Sequence, residues 1–362
     1  MAVEPSRAGP RILCTRLQNI GDVLTFIPAL RTLRQALPDA HITVLAKHPG
    51  GIEILCNCPY YDELLTVRGR GLREKLRLIR AFRARRLDYF IISPQDLGRV
   101  PWALMGGARR IAGYPRVYNY SRWQREKLPW LLDIAPHHDT LRTEVENCLR
   151  LVDDVLDDLG VALPERESTR LEYSWYTEAD ERTAAEVLAR AGITSGTRYV
   201  ALAPFSKRPA KNWVSARWAE LCRRMRASWG TPIVVLGGRD EADQAGALCG
   251  EVGEGLHVLA GATTLAQSAV ILRDAALFAG PDSGPAFLAT AVGCPAVALY
   301  GPADYYRWHP PASTVARRDI VRHAPCNPCR HQECPQPEPC METIGTDEVW
   351  EACLELWNAD GR

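Results

Sequence analysis

The stretch Gly280-Pro-Asp-Ser-Gly-Pro-Ala-Phe-Leu-Ala-Thr-Ala-Val-Gly293, followed by Cys294-Pro-Ala-Val-Ala-Leu-Tyr-Gly301, decides the fold. An apolar strand over 275–279 stops at Asp282-Ser283-Gly284, a helix starts there, and a second apolar strand follows. Strand, turn, helix and strand in that order make a parallel βαβ unit. At such a turn the free N–H groups and the positive end of the helix dipole favour a phosphate. Gly284 lets the backbone approach a ligand closely. The plainer reading of Asp282 and Ser283 is an ordinary helix N-cap.

The same alternation runs outward in both directions. In the first half, strands are expected over 11–17, 41–45, 63–67 and 89–93, with a loop over 18–23. A helix is expected over 24–37, where Leu24, Ile27, Leu30, Leu33 and Leu37 recur at helical spacing. A second helix covers 71–86. The region 163–198 is charged, lacks a buried-strand pattern and contains a helix over 178–191. Beyond it the strands resume at 199–203, 232–236, 256–259, 276–279 and 295–300. Helices between and after them are expected over 215–228, 241–251, 265–273, 285–292 and 347–357. These patterns predict an α/β chain of two Rossmann-like, doubly wound domains, 1–165 and 198–325. A linker and helix over 166–197 join them, and a Cys-rich segment with a terminal helix occupies 326–362. A ligand is expected in a cleft at the carboxyl ends of the two sheets.

The 362 residues are 46% apolar and 24% charged, the composition of a soluble globular protein. A net charge of +1 gives no bulk electrostatic case for a nucleic-acid partner. Glu4 and the absence of an apolar run near the N-terminus argue against a signal peptide. No run reaches the roughly 18 apolar residues of a membrane helix. A cytoplasmic protein, or one peripheral to the inner face of a membrane, is the expectation. In that compartment the 12 cysteines do not suggest a disulfide framework.

Several strand ends carry chemistry. Gly21-Asp22 follows the first strand, where Gly21 permits a tight turn and Asp22 can act as a general base. A helix N-cap is the alternative for that aspartate. Lys207, Arg208 and Lys211 follow the strand 199–203, placed to neutralise a leaving diphosphate. Glu241, in Leu236-Gly-Gly-Arg-Asp-Glu241, can accept ribose hydroxyls or simply close a capping box. Neither Gly-x-Gly-x-x-Gly nor a Walker A lysine motif occurs, which argues against a nicotinamide dehydrogenase and against phosphoryl transfer. Cys326-x2-Cys329-x4-Cys334-x5-Cys340, with His323 and His331 nearby, can form a tetrahedral zinc or iron site. Four thiolates leave no open position, so such a metal is expected to be structural. Free thiols in a Pro-rich loop are the alternative. Arg73, Arg77 and Arg80 recur at helical spacing opposite Leu72, Leu76, Ile79 and Phe82. That face is either solvated or a docking surface for an anionic acceptor or membrane.

Together these pieces resemble glycosyltransferase family 9, the bacterial lipopolysaccharide heptosyltransferases. The resemblance runs from Arg11 to about Val349. It rests on Ile20-Gly-Asp-Val-Leu-Thr-Phe-Ile-Pro-Ala-Leu30, Pro209-Ala-Lys-Asn-Trp213, Val235-Leu-Gly-Gly238, Gly280-Pro-Asp-Ser-Gly-Pro285 and Leu299-Tyr-Gly-Pro302. It implies the GT-B fold of two facing Rossmann-like domains with an interdomain cleft. The implied activity is metal-independent, inverting transfer of heptose from ADP-heptose to a glycan or glycolipid acceptor, with no cofactor required. By the same resemblance Asp22 is the general base, Lys211 lies near the donor diphosphate and Glu241 near the donor ribose. Asp282, Ser283 and Gly284 form the donor-binding turn, and Thr263 or Thr264 lines the donor site. Phe287 stands where many relatives have a histidine, and the Cys tail recurs among relatives. Three alternatives stand beside this expectation: another nucleotide sugar, a protein or secondary-metabolite acceptor, or a non-catalytic metal-binding scaffold built on the Cys cluster.

Overall fold

The computed structural model describes residues 9–16, 19–69, 71–94, 97–115, 126–127, 129–163, 169–311, 315–327, 329 and 331–359. The chain divides into two compact units, Met1–Arg170 and Leu171–Arg362.

In the first unit the strands are β1 (Arg11–Thr15), β2 (His41–Ala46), β3 (Glu63–Thr66), β4 (Tyr89–Ile92) and β5 (Arg110–Gly113). They form a sheet in the order β3-β2-β1-β4-β5, and every pairing is parallel. A parallel sheet covered on both faces needs near-continuous apolar runs. Ile12, Leu13 and Cys14 of β1 and all of β4 are buried accordingly.

The helices are α1 (Ile20–Leu24), α2 (Ile27–Ala36), α3 (Pro49–Leu55), α4 (Leu72–Arg85), α5 (Val100–Met105) and α6 (Glu144–Asp158). The helix expected over 24–37 is α2, which starts only at Ile27; the separate α1 occupies most of the expected loop over 18–23. Leu17 and Gln18 lie outside the described residues. Pro28 sits in the first turn of α2. With no N–H to donate, it starts a helix more readily than it continues one. On α4 the buried residues are Leu78, Ile79 and Phe82, whereas Leu72 (71% exposed) and Leu76 (43%) overhang the unit at its first turns. The apolar face expected from sequence is thus displaced toward the C-terminal half of the helix.

In the second unit the strands are β6 (Val200–Leu202), β7 (Ile233–Val235), β8 (Leu256–Val258), β9 (Leu277–Pro281), β10 (Ala296–Tyr300) and β11 (Arg317–Val321). Their order is β11-β10-β9-β6-β7-β8, again all parallel. The helices are α7 (Glu178–Arg190), α8 (Ser215–Trp229), α9 (Ala242–Val252), α10 (Leu265–Asp274), α11 (Gly284–Val292), α12 (Tyr305–Trp308) and α13 (Thr346–Ala359).

Two segments join this unit rather than standing apart from it. The Tyr173 N–H donates to Ala291 O at 3.1 Å, and Arg273 of α10 pairs with Glu181 of α7 at 2.6 Å. At the other end α13 returns to α8. Trp357 stacks on Trp229 (4.3 Å, 8°), with the Arg198 guanidinium 3.9 Å from the Trp357 ring centre.

Each sheet reverses direction once. The chain leaves β1 toward β2 and β3, then crosses to β4 and β5. It leaves β6 toward β7 and β8, then crosses to β9, β10 and β11. The crevices outside the carboxyl ends of β1/β4 and of β6/β9 are the ligand positions of such sheets.

Candidate active site

The β6/β9 crevice is built by three residues. Asp282 follows β9 and is 3% exposed. Lys211 ends a short turn, Pro209–Lys211, after β6. Its Nζ donates to Asp282 Oδ2 at 2.5 Å and to Asp282 O at 2.9 Å. The two strand ends flanking the switch point are thereby tied together. Ser283 is the N-cap of α11, with extended backbone and no capping hydrogen bond from its side chain. Its Oγ is shielded from solvent and has no hydrogen-bond partner among the described residues. The first N–H groups of a helix lack intrahelical partners. An ammonium, an unfilled hydroxyl and a helix N-terminus thus converge, which is the chemistry of an anion site.

The neighbouring strand ends are ordered around it. Glu241 Oε2 accepts the Gly238 N–H at 2.7 Å, so the capping role foreseen for this acid is realised. Burial raises the Glu241 carboxyl above its ordinary range, with Asp240 adding to the rise; the Gly238 N–H and Lys207 oppose it. Thr264 Oγ1 accepts the Gln267 N–H at 3.2 Å and caps α10, while the Thr263 and Ser268 hydroxyls pair at 2.8 Å. Gly261 has φ +74°, and a Cβ there would lie 2.9 Å from Arg239 Cα. Only glycine lets the loops after β7 and β8 close on each other in this way.

Of the three cations expected to face a diphosphate, only Lys211 is at the Asp282 turn. Lys207 is exposed, 4.0 Å from Asp240. Arg208 turns away and donates to Cys329 O (2.7 Å) and His331 O (2.8 Å).

The Cys-rich segment therefore clamps the Lys211 loop. The Ala210 N–H donates to Gln332 O (2.8 Å), and the Cys329 N–H to Pro302 O (3.1 Å). The four thiols themselves are free, with Cys326 exposed, Cys329 buried, and Cys334 and Cys340 between. Burial raises the Cys340 thiol, and the nearby Cys334, Cys326 and Cys329 add to the rise. Among the described residues no three His, Cys, Asp or Glu side chains could hold a metal ion. The tetrahedral set expected from the spacing is thus not assembled among the described residues.

Asp22 occupies the β1/β4 crevice of the first unit, in the first turn of α1. Its Oδ2 accepts the Asn19 N–H at 3.0 Å, so it helps cap its own helix. Sequence reading missed what holds this turn. Arg16, directly after β1, is 1% exposed and donates through Nε to Asp22 O and through Nη2 to Thr25 Oγ1 (2.9 Å). Glu144, fully buried at the start of α6, lies 3.5 Å from Arg16 Nη1. An arginine at the end of an apolar strand was the available signal. Another arginine, Arg317, is half-buried on β11 and binds Asp319 (2.6 Å), Thr290 Oγ1 (2.5 Å) and the Tyr300 hydroxyl (2.9 Å). Phe287, 5% exposed, packs into the core of the unit.

The chain resembles a glycosyltransferase family 9 structure from Veillonella parvula, with a TM-score of 0.79, 20% identity and 97% of both chains covered. It also resembles E. coli ADP-heptose lipopolysaccharide heptosyltransferase II, with a TM-score of 0.73, 21% identity, 97% of this chain and all of that one covered. Two doubly wound parallel sheets of this kind define the GT-B fold. In sequence, E. coli lipopolysaccharide heptosyltransferase 3 is 26% identical over 302 residues, 80% of this chain and 83% of that protein. The family model for glycosyltransferase family 9 (heptosyltransferase) matches residues 76–339, and the chain belongs to that family. It is a glycosyltransferase. The matched stretch holds Lys211, Glu241, Thr263, Thr264 and the turn 282–284; Asp22 precedes it.

Proposed function

We propose that this enzyme transfers heptose from ADP-heptose, with inversion and without a catalytic metal, to a hydroxyl of a lipopolysaccharide-core-like acceptor. The observation that carries the proposal is the anion site after β9, where Lys211 bonds Asp282 beside the unfilled Ser283 hydroxyl. A departing nucleoside diphosphate needs such a site, because negative charge grows on it as the bond to the sugar breaks. The likeness to an enzyme named for ADP-heptose favours ADP as that nucleotide.

In the proposed step the acceptor hydroxyl gives its proton to the Asp22 carboxylate and its oxygen bonds the anomeric carbon from the face opposite the diphosphate. The anomeric C–O bond breaks, and ADP carries away the electron pair. Glu241 would hold the donor ribose, and Thr263 or Thr264 would line the donor site. Catalysis needs no cofactor in this scheme, since Lys211 and the α11 dipole supply the positive charge. The enzyme would work in the cytoplasm, at the inner membrane face. There the exposed Arg73 and Arg80 and the overhanging Leu72 of α4 offer a contact for an anionic glycolipid, while Arg77 is tied to Glu74. No helix among the described residues is long and apolar enough to cross a membrane.

General-base catalysis contributes about 10²–10⁴-fold. Asp22→Asn should lose that factor in kcat while ADP binds as before. Turnover near the wild-type rate in that variant would remove Asp22 from the mechanism. Competition by ADP against UDP and GDP tests the donor separately.

A further inference from the structure

The ends of β10 and β11 carry a cluster of rings that the transfer step above does not use. Tyr305 and Tyr306 open α12 just after β10, and His323 follows β11. Tyr306 is 59% exposed, and among the described residues it is the one large hydrophobic side chain exposed in the second unit. Its ring lies nearly parallel to that of His323, at 16° and 5.8 Å, and His323 is exposed as well. Behind this pair, Tyr305 stacks on His309 (4.9 Å, 22°) and meets the buried Tyr300 edge-on at 5.0 Å. Single exposed tyrosines are ordinary. Two exposed rings stacked on each other, with Tyr305 edge-on to both, leave an outer aromatic face open to solvent that the core does not require.

Its position says what it can receive. Along the sheet edge β7 leads to Glu241, β6 to Lys211, β9 to Asp282, β10 to Tyr305 and Tyr306, and β11 to His323. β10 pairs with β9, and the Asp282 N–H donates to Leu299 O at 2.9 Å, so Tyr300 and the rings packed on it adjoin the Asp282 turn. A nucleotide with its ribose at Glu241 and its diphosphate at Asp282 points the group beyond the diphosphate toward the β10 side. In a nucleotide sugar that group is the sugar ring, and the acceptor must approach the same carbon.

We propose that Tyr306 and His323 form a stacking platform for a pyranose ring at the reaction centre, from either the donor sugar or the acceptor glycan. One face of a pyranose presents C–H groups that pack on an aromatic surface, while its hydroxyls stay solvated at the rim. The assignment rests on the donor orientation given under Proposed function.

The test uses the full chain with ADP-heptose and a heptose-terminated core oligosaccharide. Tyr306→Ala should raise one KM about 3- to 10-fold. The affinity for ADP itself should stay unchanged, and Tyr306→Phe should behave as wild type. A raised donor KM places the donor sugar on the platform; a raised acceptor KM places the acceptor there. Saturation-transfer NMR should show the C–H protons of that same sugar receiving magnetisation from aromatic protons, and losing it in Tyr306→Ala. Unchanged KM values and NMR transfer in Tyr306→Ala would overturn the platform alone. A Tyr306→Phe defect as large as that of alanine would overturn stacking in favour of the hydroxyl. Failure of the wild-type protein to bind ADP-heptose while binding another nucleotide sugar would overturn the donor reading; NMR on that sugar would still decide the platform. Binding of no sugar at all would overturn both.

Discussion

At the residue scale, Lys211 has two tasks that can be separated. It neutralises Asp282, and in the proposed mechanism it meets the leaving diphosphate. Lys211→Met keeps the stem but leaves a carboxylate that is 3% exposed without its cation. Breaking a buried pair in this way costs about 3 kcal/mol. Lys211→Met should therefore melt earlier and bind ADP at least about tenfold more weakly. Asp282→Asn retains a hydrogen-bonding group and should melt closer to wild type; equal losses in the two variants would count against the pair. Glu241 supplies a pH test. Burial raises its carboxyl, so the folded protein holds this proton more tightly than the unfolded chain. Between the ordinary carboxylate pKa and the raised one, the native state binds more protons, and stability falls as pH rises through that window. Glu241→Gln removes this loss. Its melting temperature should gain on wild type at neutral pH and show no gain below the carboxylate range. A gain that persists in acid would assign the effect to something other than ionisation. The sequence marked both residues because each ends a strand run, but it could not show that Lys211 selects Asp282 while Arg208 selects two carbonyls. That choice depends on the path of the Cys-rich segment, which has no periodicity to read.

At the element scale, the legible parts are those with a strong period or an uninterrupted apolar run. β1, β4, β9 and β10 are buried on both faces, and their sequences read as strands without help. β11 did not, because Arg317-Arg318-Asp319 interrupts it; as an edge strand it needs only one neighbour, and its charges find partners at Thr290, Glu355 and Tyr305. β5 did not either, because Arg110 opens it and Gly113 closes it, leaving only Ile111 and Ala112 as an apolar run. The helix over 24–37 was legible as apolar periodicity, yet it begins only at Ile27 with Pro28 in its first turn, and the short separate helix before it, which carries Asp22, was read as a loop. α13 was legible as a helix, but its docking place was not, since that is set by rings far apart in sequence. Trp357 is stacked on Trp229 and covered by Arg198, whose guanidinium also donates to Trp357 O at 3.0 Å. Trp357→Ala removes a ring that is only 9% exposed, and large-to-small changes of that kind cost about 3–5 kcal/mol. Urea denaturation should show this as a lower midpoint at constant slope. A change below about 1 kcal/mol would mean that α13 is held by its other contacts.

At the scale of the whole molecule, the two units carry different chemistry on similar sheets. The proposed anion site, with Lys211 as its one side-chain cation, belongs to Leu171–Arg362, and the proposed base belongs to Met1–Arg170. Both lie at the switch point of their own sheet, since that is where a doubly wound sheet leaves a crevice. Nucleotide binding should therefore register unevenly along the chain. A ligand that binds only the native state stabilises it by mass action, by about 2.7 kcal/mol at 100 times its Kd. If ADP contacts the second unit alone, amide exchange should slow most at the ends of β6, β7 and β9, in the turn 282–284 and in the first turn of α11. Exchange in β1, β2 and β4 should be unchanged. The amides of β11 provide an internal comparison, because they belong to the same unit but lie at the sheet edge away from Glu241. Protection that appears equally in β1 and β9 would place the nucleotide against both units from the start. Protection confined to β10 and β11 would reverse the donor's direction along the sheet, and with it the expectation that the sugar reaches Tyr306.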